Sequence, residues 1–136
     1  MKKNNLLLAL IHLVLLLTAA SSFAKARCEL PPEANQITIK RYLQCLDSTL
    51  NNAKQLQASW IEKRRYELAK RERETGDSQI LQLFTNSITS HNKYVAKSCQ
   101  WRYLLHLPNA VNAAINYKRC EIQLVEQFTA SLKQPL

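Results

Sequence analysis

Residues 39–60 read IKRYLQCLDSTLNNAKQLQASW, and their spacing decides the fold class. The apolar positions Ile39, Leu43, Leu46, Leu50, Ala53, Leu56 and Trp60 recur in steps of three and four, which places them on one stripe of an α-helix. The stripe is expected to face a core, with Leu56 and Trp60 among the core residues. It continues weakly through Ile61, Leu68 and Ala69 into the charged run from Glu62 to Glu74. There Glu67 and Arg71, or Lys70 and Glu74, stand at i,i+4, a spacing that supports a solvated helix by a few tenths of a kcal/mol per pair. Glycine tolerates the left-handed conformation of a C-cap, so Gly76 is expected to end this helix and Asp77 or Ser78 to cap the next.

A second stripe runs through Ile80, Phe84, Ile88, His91, Val95, Ser98, Trp101 or Arg102, and Leu105, with Tyr94 and Leu104 beside it. It should stop before Pro108, since a proline disfavours helical backbone in the residue ahead of it. Asn109 is placed to cap a third helix, in which Val111, Ile115, Lys118, Ile122, Val125, Phe128 or Thr129, and Leu132 repeat with a near-heptad step. The 136 residues hold one Gly, and Pro only at 31, 32, 108 and 135, too little turn punctuation for a β-protein. Three long helices with short connections predict an all-α antiparallel bundle.

Ahead of this body, Met1-Lys2-Lys3 is a positive segment, Leu6 to Leu17 is apolar, and Ser22-Phe23-Ala24 offers small residues to a signal peptidase. The expected organisation is a signal peptide at 1–24, cleaved near Ala24, and a disulfide-stapled helical domain at 25–136. Twelve apolar residues are too few to span a hydrocarbon layer of roughly 30 Å, so no membrane-spanning segment is expected. Localisation follows as periplasmic or secreted. Removal of residues 1–24 from the 136 leaves 112, enough for one core, and lowers the formal charge from +9 to +7 as Lys2 and Lys3 leave.

Cys28, Cys45, Cys99 and Cys120 are an even set in an exported chain, which argues for two disulfides. Their spacings contain no Cys-x-x-Cys or His-pair motif, so no metal is expected. Three pairings are formally possible. Cys99 and Cys120 straddle Pro108-Asn109 almost symmetrically and would reach the same level of a helical hairpin. The arm through Pro31-Pro32 has the length to bring Cys28 back to Cys45, since seven extended residues reach roughly 23 Å and ten helical ones rise roughly 15 Å. The expected bridges are therefore Cys28–Cys45 and Cys99–Cys120.

No nucleophile elbow, paired-carboxylate motif, phosphate-binding glycine loop or cofactor fingerprint occurs, so neither an enzyme nor a cofactor is expected. His91 and His106 have no ligand-spaced partner and read as polar residues on partly buried faces. Trp60, Tyr66, Tyr94, Trp101 and Tyr103 read as core or interface filler. The densest charge lies in the first helix, where Lys63, Arg64, Arg65, Lys70, Arg71 and Arg73 form a candidate binding face on an exposed helix end. Export and the four acids between Glu62 and Glu74 argue against nucleic acid and for an anionic envelope component or an acidic protein.

With helices and cysteines placed, the chain resembles the LprI-like lysozyme-inhibitor family of small exported four-cysteine helical proteins, from Cys28 to about Lys133. Cys28, Cys45, the element Leu56-Gln57-Ala58-Ser59-Trp60, the segment Tyr94 to Cys99, and the segment Cys120 to Gln127 occupy the places of that family's motifs. In the block ahead of the third cysteine Tyr94 is kept, while His91 and Val95 stand where the family has Trp and Arg. What the resemblance implies is a non-enzymatic binding protein whose partner is a protein, with lysozyme inhibition as its concrete form. The other expectation, from charge, is a basic module contacting lipopolysaccharide, peptidoglycan or anionic lipid.

Overall fold

Asn35 starts the first helix: its Oδ1 accepts the Thr38 N–H at 2.9 Å and satisfies one of the donors that a helix start leaves without a partner. The computed structural model describes residues 28–135, and the signal peptide expected at 1–24 lies outside them. Three helices follow in chain order, α1 (Gln36–Thr75), α2 (Gln79–Leu105) and α3 (Ala110–Leu132), with no strand among the described residues. Gly76 ends α1 with a left-handed φ of 75°, and its N–H closes on the Glu72 carbonyl at 2.8 Å. Asp77 rather than Ser78 supplies the side-chain bond at the next start, accepting the Gln79 N–H at 3.1 Å. Asn109 caps α3 through the Asn112 N–H at 2.9 Å.

Contacts fix the directions. Tyr42 packs on Ile115, Gln57 donates to the Val125 carbonyl, and Arg64 donates to the Leu132 carbonyl, so α1 and α3 run parallel in near-constant register and α2 returns between them in sequence. The third helix is the shared one. On one side it meets α1 in the clusters Tyr42, Leu46, Ile115 and Leu50, Ala53, Val125. On the other it meets α2 through Val95, Cys99 and Cys120, with Tyr117 and Leu124 packed against them. At about 1.5 Å per residue α1 spans about 60 Å and α3 about 35 Å, so α1 outruns α3 beyond Arg64.

Both disulfides form as expected, Cys28–Cys45 with Cα atoms 5.9 Å apart and Cys99–Cys120 with Cα atoms 5.6 Å apart. The first ties the N-terminal arm to α1, and the second ties α2 to α3. Disulfides persist in oxidising compartments, so the pair indicates an extracytoplasmic setting. Among the described residues no helix is long and apolar enough to cross a membrane.

The first stripe is corrected at its end. Leu56 is 47% exposed and Trp60 only half-buried, whereas Gln57 and Arg64 are buried. The buried positions keep a strict seven-residue step, Leu50 to Gln57 to Arg64, because a helix packed along a parallel neighbour presents that repeat whatever side chains occupy it. Polar groups are tolerated there because α3 supplies carbonyls: Gln57 Nε2 donates to Val125 at 3.4 Å and Arg64 Nε to Leu132 at 2.6 Å.

Candidate functional site

The basic segment of α1 is mostly spoken for. Arg64 is 7% exposed, donates through Nη2 to the Gln134 carbonyl as well as through Nε to Leu132, and holds Glu67 at 2.5 Å. Its guanidinium thus binds carbonyls at the C-terminal end of α3, where they lack intrahelical partners. The expectation that this stretch is a thinly packed exposed end fails at Arg64 and at buried Leu68. Lys63 reaches Glu67 at 3.9 Å, Arg65 meets Glu62 at 3.0 Å and Lys70 meets Glu74 at 3.8 Å. Glu67 therefore pairs with Arg64 and Lys63 and not with Arg71. Only Arg71 and Arg73 stand exposed outside these pairs, and Lys63 also lies 4.6 Å over the Trp60 ring.

A different surface gathers exposed apolar and cationic groups at the opposite end of the bundle. On α2 the residues Tyr94, Lys97, Trp101 and Leu104 follow steps of three and four on a stripe separate from Val95, Ser98 and Cys99, which face α3. The α3-facing positions are consumed by packing, so the second stripe is left in solvent. Trp101 is 51% exposed and Leu104 57%. Leu105, on the edge of the packed face, is 70% exposed because α2 ends there and α3 begins only at Ala110. Leu107 and Val111 complete the patch across the turn. Tyr66, Tyr94 and Trp101, read from sequence as filler, are exposed side chains.

The helical hairpin that bears this patch carries charge of one sign up to Cys120. All ten Asp and Glu of the chain fall outside residues 78–120, whereas Lys93, Lys97, Arg102, Lys118 and Arg119 fall inside. Lys118 pairs with Asp47, and Arg119 donates to the Tyr42 hydroxyl at 2.7 Å, so both are tied to α1. Lys93 and Lys97 are exposed, and the Arg102 guanidinium sits 4.7 Å over the Trp101 ring. Acid at this end of the bundle comes from the other elements, through Asp47 of α1 and through Glu29 and Glu33 of the arm ahead of it. Beside the patch a groove of about 520 Å³ opens between α2 and α3, lined by Ala96, Gln100, Tyr103, Ala114, Tyr117 and Lys118. Long-range attraction of anions by such a surface is a direct consequence of its charge.

Away from both surfaces His91 stacks on Phe128, with centroids 4.1 Å apart and planes at 14°. Its Nε2 is buried without a hydrogen-bond partner among the described residues, and desolvation holds its pKa below the ordinary 6.5. His106 instead meets Asn112 Nδ2 at 3.3 Å. Among the described residues no group of three His, Cys, Asp or Glu side chains could hold a metal ion.

Comparison with family models, curated proteins and solved structures finds no match to this chain. The likeness to lysozyme inhibitors therefore rests on the motif placements alone.

Proposed function

We propose that this is a non-catalytic binding protein of the cell envelope or exterior, which attaches to anionic envelope material through the α2–α3 end of its bundle. One observation carries the reading: exposed Trp101, Leu104, Leu105 and Leu107 share an end with Lys97 and Arg102, Lys93 follows further back along α2, and the helical hairpin that bears them has no acid up to Cys120. Cationic and apolar groups together favour a ligand with phosphate or carboxylate groups over apolar matter. The α1 segment with the highest density of bases contributes less, because four of its six positive charges are paired within the helix or buried and acids are interleaved with the other two.

Lysozyme inhibition, the form that the family likeness suggests, would need an acidic surface against a basic enzyme, and this end would meet such an enzyme with repulsion. A binding panel separates the readings. The disulfide-intact protein is titrated with phosphatidylglycerol vesicles, phosphatidylcholine vesicles, lipopolysaccharide and peptidoglycan, and is added to lysozyme in a cell-wall turbidity assay. Binding to the anionic members, weakening about tenfold or more between about 0.05 M and about 0.3 M salt, is expected. Saturable lysozyme inhibition that survives the higher salt, with no binding to anionic material, overturns the proposal.

A further inference from the structure

The α2–α3 turn carries more apolar surface than attraction to an anion requires, and its geometry narrows the ligand. This step rests on the reading that the same end meets anionic material. We infer that the ligand is a lipid leaflet, and that the turn enters it end-on as a wedge, with Leu104, Leu105 and Leu107 leading.

The layers of the wedge follow from helix rise. Trp101 lies one turn behind Leu105, about 6 Å, and Lys97 about 12 Å behind it. Interfacial insertion of apolar side chains reaches about 5–10 Å into the boundary between headgroups and acyl chains. At that depth the leucines sit among acyl chains, Trp101 with its covering Arg102 sits at the headgroup boundary, and Lys97 meets lipid phosphates, while Lys93, about 18 Å behind Leu105, stays on the water side of the headgroups. A Trp at this level has its ring in apolar surroundings and its N–H toward water, the placement such rings favour.

The backbone is prepared for the same environment. Unpaired N–H groups are costly in lipid. Here the N–H groups of His106, Leu107 and Asn109 donate to the carbonyls of Tyr103, Leu104 and His106 at 3.1, 3.3 and 3.1 Å, and Pro108 has none. The nearby polar side chains are also paired, Asn112 with His106 and Asn116 with Asn112 at 2.8 Å.

Rigidity completes the device. The Cys99–Cys120 bridge locks α2 to α3 within about three turns of the tip, so the leucines are presented on a fixed ridge. That ridge stands at a chain reversal. A leaflet accepts an exposed apolar ridge backed by the bases of its own hairpin, whereas a protein partner would have to supply a matching apolar cavity and an acidic rim.

Trp60→Phe leaves Trp101 as the single tryptophan, and its fluorescence reports insertion. With phosphatidylglycerol vesicles the emission should shift to the blue and be quenched by lipid brominated on its acyl chains. L104S/L105S, altered at exposed positions, should keep its thermal melt and lose at least about tenfold in vesicle partitioning. L107S serves as a second variant should the first unfold. Heparin binding, which needs charge and no insertion, should be unchanged in both. If the wild-type protein binds anionic vesicles while Trp101 stays unquenched and the leucine variants bind equally well, the wedge is wrong and the anionic-surface reading stands. Binding to neither vesicles nor heparin sinks both. Wild-type self-association that the leucine variants abolish, without vesicle binding, reassigns the ridge to a second copy of this chain and also overturns the wedge.

Discussion

Replacing Arg64 by Ala removes the side chain that joins the middle of α1 to the end of α3. Its Nε bond to Leu132 is 2.6 Å long, and Nη2 donates to Gln134. A hydrogen bond from a charged donor contributes about 1.5–3 kcal/mol when its partner is desolvated. Leu132 is buried and Gln134 exposed, so the second carbonyl regains water in the variant and the first does not. The expected loss is about 3 kcal/mol, a large part of the roughly 5–15 kcal/mol that a domain has. For a body of this size that corresponds to a melting point lower by about 12 °C. Urea unfolding followed by circular dichroism measures it, with Arg65→Ala as the control, since Arg65 makes only an exposed pair with Glu62 worth at most about 1 kcal/mol. Arg64→Lys should recover part of the loss, because the ammonium keeps the charge but lacks the planar fork that reaches two carbonyls at once. A loss below about 1 kcal/mol for Arg64→Ala, or one equal to that of Arg65→Ala, would refute the reasoning.

Leu56→Ser should change stability by less than about 0.5 kcal/mol, and Trp60→Ala should cost about 1–2 kcal/mol rather than the 3–5 kcal/mol of a fully buried ring, both read from denaturant midpoints. His91 has a folded-state pKa below its unfolded 6.5, so its neutral form is favoured in the fold. The protein should then keep full stability from this group above pH 6.5 and lose it as the pH falls through the depressed folded value; His91→Leu should flatten that part of a stability-versus-pH curve, and an unchanged slope would contradict the assignment. Removing the Cys99–Cys120 bridge by C99S/C120S should cost about 3 kcal/mol, and hydrogen exchange should show α2 loosening before α1, because α2 finds its core partners on α3.

Local rules made the helices and both disulfides legible. Asn35, Gly76, Asp77 and Asn109 each act within four residues of their own position, so their chemistry is visible without the fold. The hairpin symmetry of Cys99 and Cys120 needs only that α2 and α3 be antiparallel. The α1 core register was misread because hydrophobicity selected Leu56 and Trp60, while packing against a parallel helix selected Gln57 and Arg64. Nothing in the sequence announces that α3 would offer the Val125 and Leu132 carbonyls at those levels. The seven-residue step from Leu50 to Arg64 was the available signal. At the candidate site, the density of bases at Lys63 to Arg73 overstates the free charge, because neutralising pairs lie at i,i+3 and i,i+4 in the same run. The absence of acid from 78 to 120 is countable in the sequence. Exposure of Leu104, Leu105 and Leu107 is not, since it depends on α2 ending level with the start of α3.

The two candidate surfaces lie at opposite ends of one molecule, so charge changes at each can be compared on the same ligand. Vesicle partitioning at low salt is measured for K93E/K97E and for K63Q/K70Q/R71Q/R73Q, both confined to exposed side chains that leave Arg64 in place. Each basic residue near an anionic surface contributes about 1 kcal/mol. Reversing two on α2, Lys97 behind the turn and Lys93 at mid-helix, should lower the partition coefficient at least about 30-fold, while the four neutral changes on α1 lower it less than about tenfold. Full binding by K93E/K97E together with a collapse in the α1 variant would contradict the account and return the contact surface to the first helix.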